Sequence, residues 1–452
     1  MLRTDAVADL ATLQRALEER FAYLKTNDVD HEALFAALRE RLPPEVEPGW
    51  LGLELQKLLA RFVDGHAAIN VPPSPFGFLP FLTGWAGDGL VAYEADRSRL
   101  LDPERPFLSA IDGLPVTTWL EAAGRYVAAG SQQLVRREAL RWLRAVRMLR
   151  RDLGLPERDD VEVVLTRAGG AAPRTLRLAV TEGLPRFGAW PRSESAVLDG
   201  DVGYLRLAQM GPEAADDVRT ALTRFASTDG LVVDVRGNGG GTRDALLALL
   251  PALMAPEDTP RVVNVAAYRA WEGFPDDHLA ARHLYPVDAA RWSPAERAAL
   301  DAFMPGFEPE WPLPAGEFST WHAMVVSPAA AGQPAYRGRP VVVLMDAGCF
   351  SATDVFLSAL KGVPNVTLLG EGSSGGSARA QVVELPASGL KARFASMASF
   401  QASGELFDGR GVRPDVTVLP EPGSFLESGR DVALGRALGV IRERAPERPR
   451  VP

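Results

Sequence analysis

The sequence predicts an α/β fold whose core is built from strand–turn–helix units. Residues 230–235 form an apolar run typical of a buried strand. The run leads into the glycine-rich segment 236–241, and a leucine-rich helix is predicted from about Asp244. Residues 340–345 form a second apolar strand, and a further helix is predicted to begin at Ser351. Repeated units of this kind are typical of strands covered by helices.

The composition is that of a soluble globular protein. Of the 452 residues, 46% are hydrophobic and 24% are charged. The formal net charge of −9 argues against a general nucleic-acid binder, which usually has a basic face. The one cysteine, Cys349, excludes an intramolecular disulfide. There is no apolar run of signal-peptide length at the N-terminus and no stretch of ~20 apolar residues, so we expect a cytoplasmic protein without a membrane span.

Changes in sequence pattern divide the chain into four segments. Leucines recur at helical spacing in the first segment, and short strand patterns surround a long arginine-rich amphipathic stretch in the second. Alternating strands and helices fill the third segment, which contains an insertion rich in Pro, Trp and His. The predicted segments are an N-terminal helical region at 1–70, a second unit at 71–185, a core at 186–425 with an insertion at about 256–338, and a C-terminal helix and tail at 426–452.

Ser351 is the first candidate for chemistry, because it follows an apolar strand and a short turn and opens a helix. A serine in this position lies at the carboxyl end of a strand, beside the unpaired N–H groups of a helix N-terminus, which can stabilise an oxyanion. The alternative is structural, since Ser351 and Asp354 fit the Ser-x-x-Asp form of a capping box. From this stretch alone, the helix cap is favoured over the nucleophile.

The glycine-rich segment between Asp234 and Gly241 has three interpretations. A phosphate-binding loop requires Lys-Ser/Thr after the glycines, which Thr242 and Arg243 do not supply, and a dinucleotide-binding turn requires a different glycine spacing. An oxyanion hole requires only backbone donors next to a nucleophile from another strand. The third interpretation agrees with Ser351 as a nucleophile.

Four motifs occur in order along the chain: DGLVVDVRGNGGG, VVVLMDAGCFSATDVFLSALK, VTLLGEGSSGGS and FDGRGVRPDV. Together they resemble the tail-specific, or carboxyl-terminal-processing, protease family, which includes the tricorn core protease. The resemblance covers nearly the whole chain and implies a crotonase-like (ClpP-like) spiral core, an N-terminal helical region and a PDZ-like module at 71–185. It also implies that Ser351 is the nucleophile and that N–H groups of Gly239, Gly240 and Ala352 form the oxyanion hole.

The same resemblance indicates which residue is the general base. The Ser/Lys branch of the family has a lysine after its Gly-Glu turn, but here Gly376 stands in that place. The tricorn-like branch uses a histidine from the N-terminal region, which His66 matches, and a carboxylate near the C-terminal motif, which Asp408 matches. Two departures remain. The family more often has glutamate in the place of Asp408, and tricorn has a serine where Gly65 precedes the histidine.

These residues predict a serine-type peptidase that hydrolyses peptides or unstructured protein tails, with the PDZ-like module binding the peptide as an added strand. No metal or organic cofactor is implied, since His278 and His283 lack a third ligand at a sensible spacing. Two alternatives stay open. One is a catalytically inactive ligand-binding protein on the same scaffold. The other is a crotonase-type acyl-CoA enzyme, because that fold also uses glycine-rich oxyanion holes.

Overall fold

The computed structural model describes residues 1–167, 172–191, 194–270, 278–330 and 336–444. Parts of the predicted insertion and the end of the predicted C-terminal tail lie outside these described residues. Within them, the chain forms a mixed α/β fold with four sheets and helices packed against them. None of the helices in these ranges is both long and apolar enough to cross a bilayer.

The N-terminal segment is helical, as its leucine spacing predicts. Leu10, Leu13 and Leu17 face one side of the first helix and are completely buried, because residues three and four apart share a helix face. They pack against the next two helices and against a hairpin from the core. The elements are α1 (Arg3–Arg20), α2 (His31–Arg41), α3 (Pro48–Leu59) and the short strand β1 (Ala68–Ile69).

The second unit is an antiparallel sheet with three helices. Its strands and helices are β2 (Phe81–Ala86), β3 (Gly89–Glu94), β4 (Phe107–Ile111), β5 (Leu114–Pro115), α4 (Val116–Gly124), α5 (Gln132–Leu143), α6 (Val146–Asp152), β6 (Asp160–Thr166) and β7 (Arg174–Ala179). The strand order is β2-β3-β4-β6-β7, with β5 beside β4. The short strand patterns expected around the arginine-rich stretch are present, with β6 and β7 paired as a hairpin, whereas the long arginine-rich stretch is divided into three helices.

The core contains the remaining elements, in chain order: β8 (Ala196–Leu198), β9 (Val202–Arg206), α7 (Ala214–Arg224), β10 (Gly230–Asp234), α8 (Asp244–Leu253), β11 (Arg261–Tyr268), β12 (Tyr285–Pro286), α9 (Pro294–Phe303), β13 (His322–Val326), β14 (Val341–Met345), α10 (Ala352–Leu360), β15 (Val366–Gly370), β16 (Ala380–Leu385), β17 (Leu390–Ala395), β18 (Met397–Gln401), β19 (Val416–Thr417) and α11 (Val432–Arg444).

The main sheet of the core has six strands in the order β19-β15-β14-β10-β9-β8. All neighbours are parallel except the edge pair β8–β9, and β10 and β14 are buried along their whole length. One face packs against α7, α8 and α10, and the other against α11. Burial on both faces explains why the central strands are continuous apolar runs. Because β10 and β14 run parallel, the loops that follow them lie at the same edge of the sheet.

The predicted insertion contributes strands of its own to the core. Strand β11 pairs with β13, also from this segment, and with β18, which follows it, in the sheet β12-β13-β11-β18. The described part of this segment is therefore packed into the core.

A three-stranded sheet joins the N-terminal segment to the core. Strand β1 pairs antiparallel with β17, with Ala68 opposite Arg393 and Ile69 opposite Ala392, and β17 pairs with β16. This register fixes the loop that precedes β1, where His66 lies, against the core.

Candidate active site

Ser351 does not cap the helix that it opens. It lies between β14 and α10 with φ 61° and ψ −120°, and its side chain makes no capping hydrogen bond. A positive φ is unfavourable for a residue with a side chain, so the surrounding structure must hold this conformation. Instead of capping the helix, Ser351 Oγ lies 3.2 Å from Nε2 of His66. The structure thus brings together the serine and the histidine named from the sequence.

His66 lies in the loop after α3, and both its backbone and its ring are held by neighbouring residues. The backbone amide of His66 donates to Asp64 Oδ1 at 2.8 Å, and the other oxygen of Asp64 accepts from the amide of Ala395 at 2.8 Å. The imidazole lies against the ring of Phe350, with 4.5 Å between the ring centroids. These contacts fix the imidazole next to Ser351.

The surroundings of His66 keep its imidazole neutral, so that it can accept a proton. Burial, together with the positive charges of Arg393 and Arg282 as smaller causes, lowers its pKa to about 3. The imidazole is therefore neutral near neutral pH, and Nε2 is available as an acceptor for the hydroxyl proton of Ser351.

Two buried carboxyl groups lie beside the imidazole. Asp64 Oδ1 is 3.8 Å from Nδ1 of His66, a buried nitrogen with no hydrogen-bond partner among the described residues. Asp408 is in the same cluster, but it accepts hydrogen bonds from Tyr23 Oη at 2.9 Å and from the amides of Ser377 at 3.1 Å and Gly65 at 3.4 Å. The carboxylate next to Nδ1 is thus Asp64, to which the sequence reasoning assigned no role.

The two carboxyl groups also influence each other. Burial raises the pKa of Asp408 to about 7, with the nearby charge of Asp64 as the second cause. Burial raises the pKa of Asp64 to about 6, although backbone amides partly oppose it. Two carboxylate charges this close repel each other, so the pair retains a proton near neutral pH.

The cluster of Asp64, His66 and Asp408 is the place where the described residues could best surround a cation, since one atom from each lies within 4.8 Å of the others. All four carboxylate oxygens, however, already accept hydrogen bonds from N–H or O–H donors. Those donors point at the oxygens that a cation would need. The cluster therefore fits a hydrogen-bonded carboxyl pair better than a metal site.

The glycine-rich turn packs directly against Ser351. A Cβ on Gly240 would lie 2.6 Å from the carbonyl oxygen of Phe350 and 2.7 Å from Ser351 Cβ, so no side chain fits there. The amide of Gly240 donates to Asn238 Oδ1 at 2.9 Å. In the part of the chain that the structure describes, the amides of Gly239 and Ala352 donate to no protein acceptor. Of the three predicted oxyanion donors, Gly239 and Ala352 are available and Gly240 is engaged.

Asn238 connects the glycine-rich turn to the serine turn, and the sequence reasoning missed it. Its buried amide group donates to the carbonyl of Leu207 at 2.9 Å, and its Oδ1 also accepts from Thr353 Oγ1 at 2.8 Å. Its own carbonyl accepts from the amide of Phe350 at 3.1 Å. A lone amide side chain within a run of glycines was the available signal, because such a side chain can satisfy the backbone of a turn.

The glycine in the place of the family's lysine is required by its surroundings. A Cβ on Gly376 would lie 2.4 Å from the ring of Phe350 and 3.3 Å from Cε1 of His66. Gly65 has a similar neighbour, since its Cβ would lie 2.7 Å from the same ring. The ring of Phe350 therefore occupies the space next to both glycines, and a side chain at either position would collide with it.

Residues 201–418 match the model of peptidase family S41. The chain carries an S41 peptidase domain. The matched range contains Ser351, Gly376 and Asp408, whereas His66 lies outside it. The protein is accordingly a serine-type peptidase, and the match lends no support to the ligand-binding or acyl-CoA alternatives.

Solved structures share the fold over nearly the whole chain. Mature CPAF complexed with lactacystin is 18% identical with a TM-score of 0.68, and mature CPAF alone is 18% identical with a TM-score of 0.69; each match covers 98% of this chain and 99% of that one. A putative peptidase from Parabacteroides merdae is 16% identical, with a TM-score of 0.52 and coverage of 98% and 97%. The similarity at these identities is one of fold, and it extends beyond the S41 domain to both preceding segments.

The other candidate groups of the peptidase lie apart from this chemistry. Cys349 is fully buried, its thiol donates to the carbonyl of Val235 at 3.1 Å, and burial together with the charge of Asp346 raises its pKa. It is therefore a protonated thiol with no access to substrate. Nε2 of His278 contacts Ser396 Oγ at 3.1 Å and that of His283 contacts Asp244 at 3.1 Å, so the two histidines do not converge.

A cavity of about 600 Å³ opens beside the site, between the second unit and the core of the peptidase. Gly65, Phe350 and Gly239 contribute to its wall from the site, and Leu134 and Trp142 from the second unit. Its volume falls in the range of small-molecule and peptide side-chain pockets. It gives a substrate a place next to Ser351.

Proposed function

We propose that this S41 peptidase hydrolyses peptides or unstructured protein tails with Ser351 as the nucleophile and His66 as the general base. One observation carries the proposal: Ser351 Oγ lies 3.2 Å from Nε2 of a buried, neutral His66, at a backbone φ of 61°. A serine hydroxyl is a weak nucleophile unless a base takes its proton, and this geometry supplies one. A strained conformation at a reactive residue is also typical of functional sites.

In the proposed mechanism, His66 takes the proton from Ser351 while Oγ attacks the peptide carbonyl. The free amides of Gly239 and Ala352 donate to the oxyanion, and the N-terminus of α10 adds its positive dipole end. The imidazolium then gives its proton to the leaving amine. Water, activated by the same imidazole, hydrolyses the acyl-enzyme.

The carboxyl pair has a separate part in this mechanism. Asp64 lies on the Nδ1 side of His66 and would stabilise the imidazolium as it forms. Asp408 holds Tyr23 and the amides of Gly65 and Ser377, and so positions the loops on both sides of the imidazole. The 3.8 Å gap to Nδ1 is compatible with a contact that shortens when substrate binds.

The lysines of the chain support a histidine base, as in the tricorn-like branch, over a lysine base. Lys25 pairs with Glu317 and Lys391 with Glu384, both on the surface. Lys57 pairs with carboxylates in the second and N-terminal segments, and Lys361 donates to a backbone carbonyl near the C-terminal motif. All four are engaged away from Ser351.

For the surrounding architecture, we propose a crotonase-like core at 186–425, a PDZ-like module at 71–185 and a cytoplasmic location. The antiparallel sheet of the second unit and the cavity between it and Ser351 support a peptide that enters between the module and the core. Such a module would add the peptide to a sheet edge, which suits substrates without structure of their own.

A fluorophosphonate probe tests the nucleophile directly. Ser351→Ala should abolish labelling, and His66→Ala should lower the labelling rate by at least about a hundredfold, because the two groups act as a unit. Ser358→Ala, on the same helix but bonded to Gln401, is the matched control and should label like the parent. Since mature CPAF has been solved with lactacystin, lactacystin serves as a second probe. Undiminished labelling of Ser351→Ala would refute the assignment.

A further inference from the structure

Tyr23 brings a buried hydroxyl group from the N-terminal segment to the carboxyl pair of the active site. It follows α1, it is completely buried, and its ring packs against Trp311 with 6.3 Å between the ring centroids. The amide of Ala22 donates to the carbonyl of Ala395 at 2.9 Å, and the amide of Ala395 donates to Asp64. The segment that carries Tyr23 is therefore fastened to the same residue of β17 that holds Asp64.

The hydrogen bonds of Tyr23 Oη fix the direction in which it donates. Oη lies 2.9 Å from Asp408 Oδ2, and it accepts from the amide of Ser399 at 3.3 Å. An amide N–H can only donate, so Oη uses a lone pair for Ser399 and its one hydrogen for Asp408. Tyr23 is the one side chain among the described residues that donates a hydrogen bond to either carboxyl group of the pair.

Two further hydrogen bonds close a ring of buried groups around Asp408. The same Oδ2 accepts from the amide of Ser377 at 3.1 Å, and Ser399 Oγ donates to Ser377 Oγ at 2.9 Å. The ring joins Tyr23 to the loop beside His66, to β18 and to the C-terminal motif. Both donors to Oδ2 favour the ionised form of the carboxyl group.

The charge of the pair depends on the groups that surround it. Burial and the charge of Asp64 raise the pKa of Asp408 to about 7, while its hydrogen bonds from Ser377, Tyr23 and Gly65 lower it. Burial raises the pKa of Asp64 to about 6, against backbone amides and the charge of Arg393. The titratable and charged side chains that face the pair are His66 from the loop before β1, Arg393 from β17, Asp354 from α10 and Tyr23.

We propose that Tyr23 is a positioning residue that keeps negative charge beside His66 by donating to Asp408. The inference rests on the proposed function of Ser351 and His66, and adds to it a residue of the N-terminal segment. When His66 takes the proton from Ser351, a negative charge on the carboxyl pair stabilises the imidazolium. A donor that favours the ionised carboxyl group preserves this charge at lower pH. Tyr23 acts through Asp408.

The pH dependence of fluorophosphonate labelling at Ser351 tests this role. Tyr23→Phe keeps the ring and removes the hydroxyl, so the pKa of the pair should rise. The acidic limb, expected near pH 6–7 in the parent, should move up by about one pH unit, because a hydrogen bond to a charged group is strong. Labelling should be about tenfold slower than in the parent at pH 5.5 and within about twofold of it at pH 9. His66, with a pKa of about 3, titrates below this range.

Two further variants separate this effect from a loss of packing. Tyr204→Phe is the matched control, because Tyr204 is equally buried and donates to Asp234 at 2.7 Å in the main sheet; its midpoint should equal that of the parent. In an Asp408→Asn background, Tyr23→Phe should cause no additional shift, since its partner is already neutral. A Tyr23→Phe profile that is lower at every pH with an unchanged midpoint would overturn the inference, as would a full shift in the Asp408→Asn background.

Urea unfolding keeps the inference separate from the proposed function, because it requires no catalysis. The folded state holds carboxyl protons that the unfolded chain has released, so stability is lost as pH rises through the folded-state pKa values. Tyr23→Phe raises these values, and its free energy of unfolding should fall more steeply than that of the parent between pH 5.5 and 7.5. Equal slopes would overturn the inference. Undiminished labelling of Ser351→Ala would overturn the proposed function and leave the slopes to decide the inference alone.

Discussion

Two arginines flank the glycine-rich turn, and they differ in what surrounds their charge. Arg236 precedes the turn, Arg243 follows it, and each is only 4% exposed. Arg236 donates to Asp234 at 2.6–3.1 Å and to Asp431 at 2.7 and 2.9 Å. In the part of the chain that the structure describes, Arg243 donates only to neutral acceptors.

The difference separates a cation held by ion pairs from one held by neutral hydrogen-bond acceptors. Asp234 ends β10 and Asp431 lies just before α11, so the ion pairs of Arg236 fasten the C-terminal helix to the main sheet. Arg243 joins the turn to the loop beside His66, and its partners among the described residues carry no negative charge. Burial is the same in the two cases, and charge compensation is what distinguishes them.

The largest expected effect is on stability, from Arg236→Met. The change removes the cation that donates to buried Asp234 and to Asp431, and leaves Asp234 with only Arg206 at 3.8 Å, so the free energy of unfolding should fall by about 3–5 kcal/mol. Urea unfolding at neutral pH measures it. A loss below about 1 kcal/mol would mean that these ion pairs do not hold the C-terminal helix.

Arg243→Met is the matched change on the other side of the turn. Because it removes a buried charge that forms no ion pair within the described ranges, the free energy of unfolding should stay within about 1 kcal/mol of the parent or rise. A stability loss as large as that of Arg236→Met would remove the distinction between the two arginines.

The smallest expected effect is on the pH dependence of stability, from Asp408→Asn. The folded-state pKa values of Asp64 and Asp408 are raised to about 6 and about 7, so the folded state holds protons that the unfolded chain has released. Stability from this source is lost as pH rises through 6–7. The opposite contribution of His66, whose pKa is lowered, is common to both proteins.

Without its neighbour, Asp64 should ionise more easily. From pH 5.5 to 7.5 the Asn variant should therefore lose less stability than the parent, by on the order of 1 kcal/mol. Urea unfolding at both pH values of the two proteins gives the difference. Identical slopes would show that the two carboxyl groups do not share a proton.

Local pattern predicted the central strands well. The apolar run at 230–235 is confirmed as β10, and that at 340–345 as β14, because a strand buried on both faces must be apolar throughout. The helix boundaries within the arginine-rich stretch could not be predicted, because its polar face continues across Arg125 and Arg144, where α4 and α5 end. Hydrophobic periodicity shows which face of a helix is buried, but it does not show where the helix ends.

The site depended on contacts that no local pattern contains. From its own stretch, Ser351 fitted a helix cap, and only the order of motifs along the whole chain favoured the nucleophile; the backbone φ of 61° then excludes the cap. The place of Asp64 beside Nδ1 depends on the pairing of β1 with β17, more than 300 residues away. Likewise, Asp431, which pairs with Arg236 and has no counterpart at Arg243 among the described residues, is distant in sequence from Arg236.

The short strand β1 makes catalytic competence depend on a sheet edge. His66 is held over Ser351 by a two-residue pairing between β1 and β17 and by the bond from Ala395 to Asp64 at the end of the same strand. A peptide that competed with β1 for this edge would withdraw the base from the nucleophile without entering the cavity. The S41 domain would stay folded and substrate would still bind. Inhibition of this kind would lower the turnover number and leave the affinity for substrate unchanged.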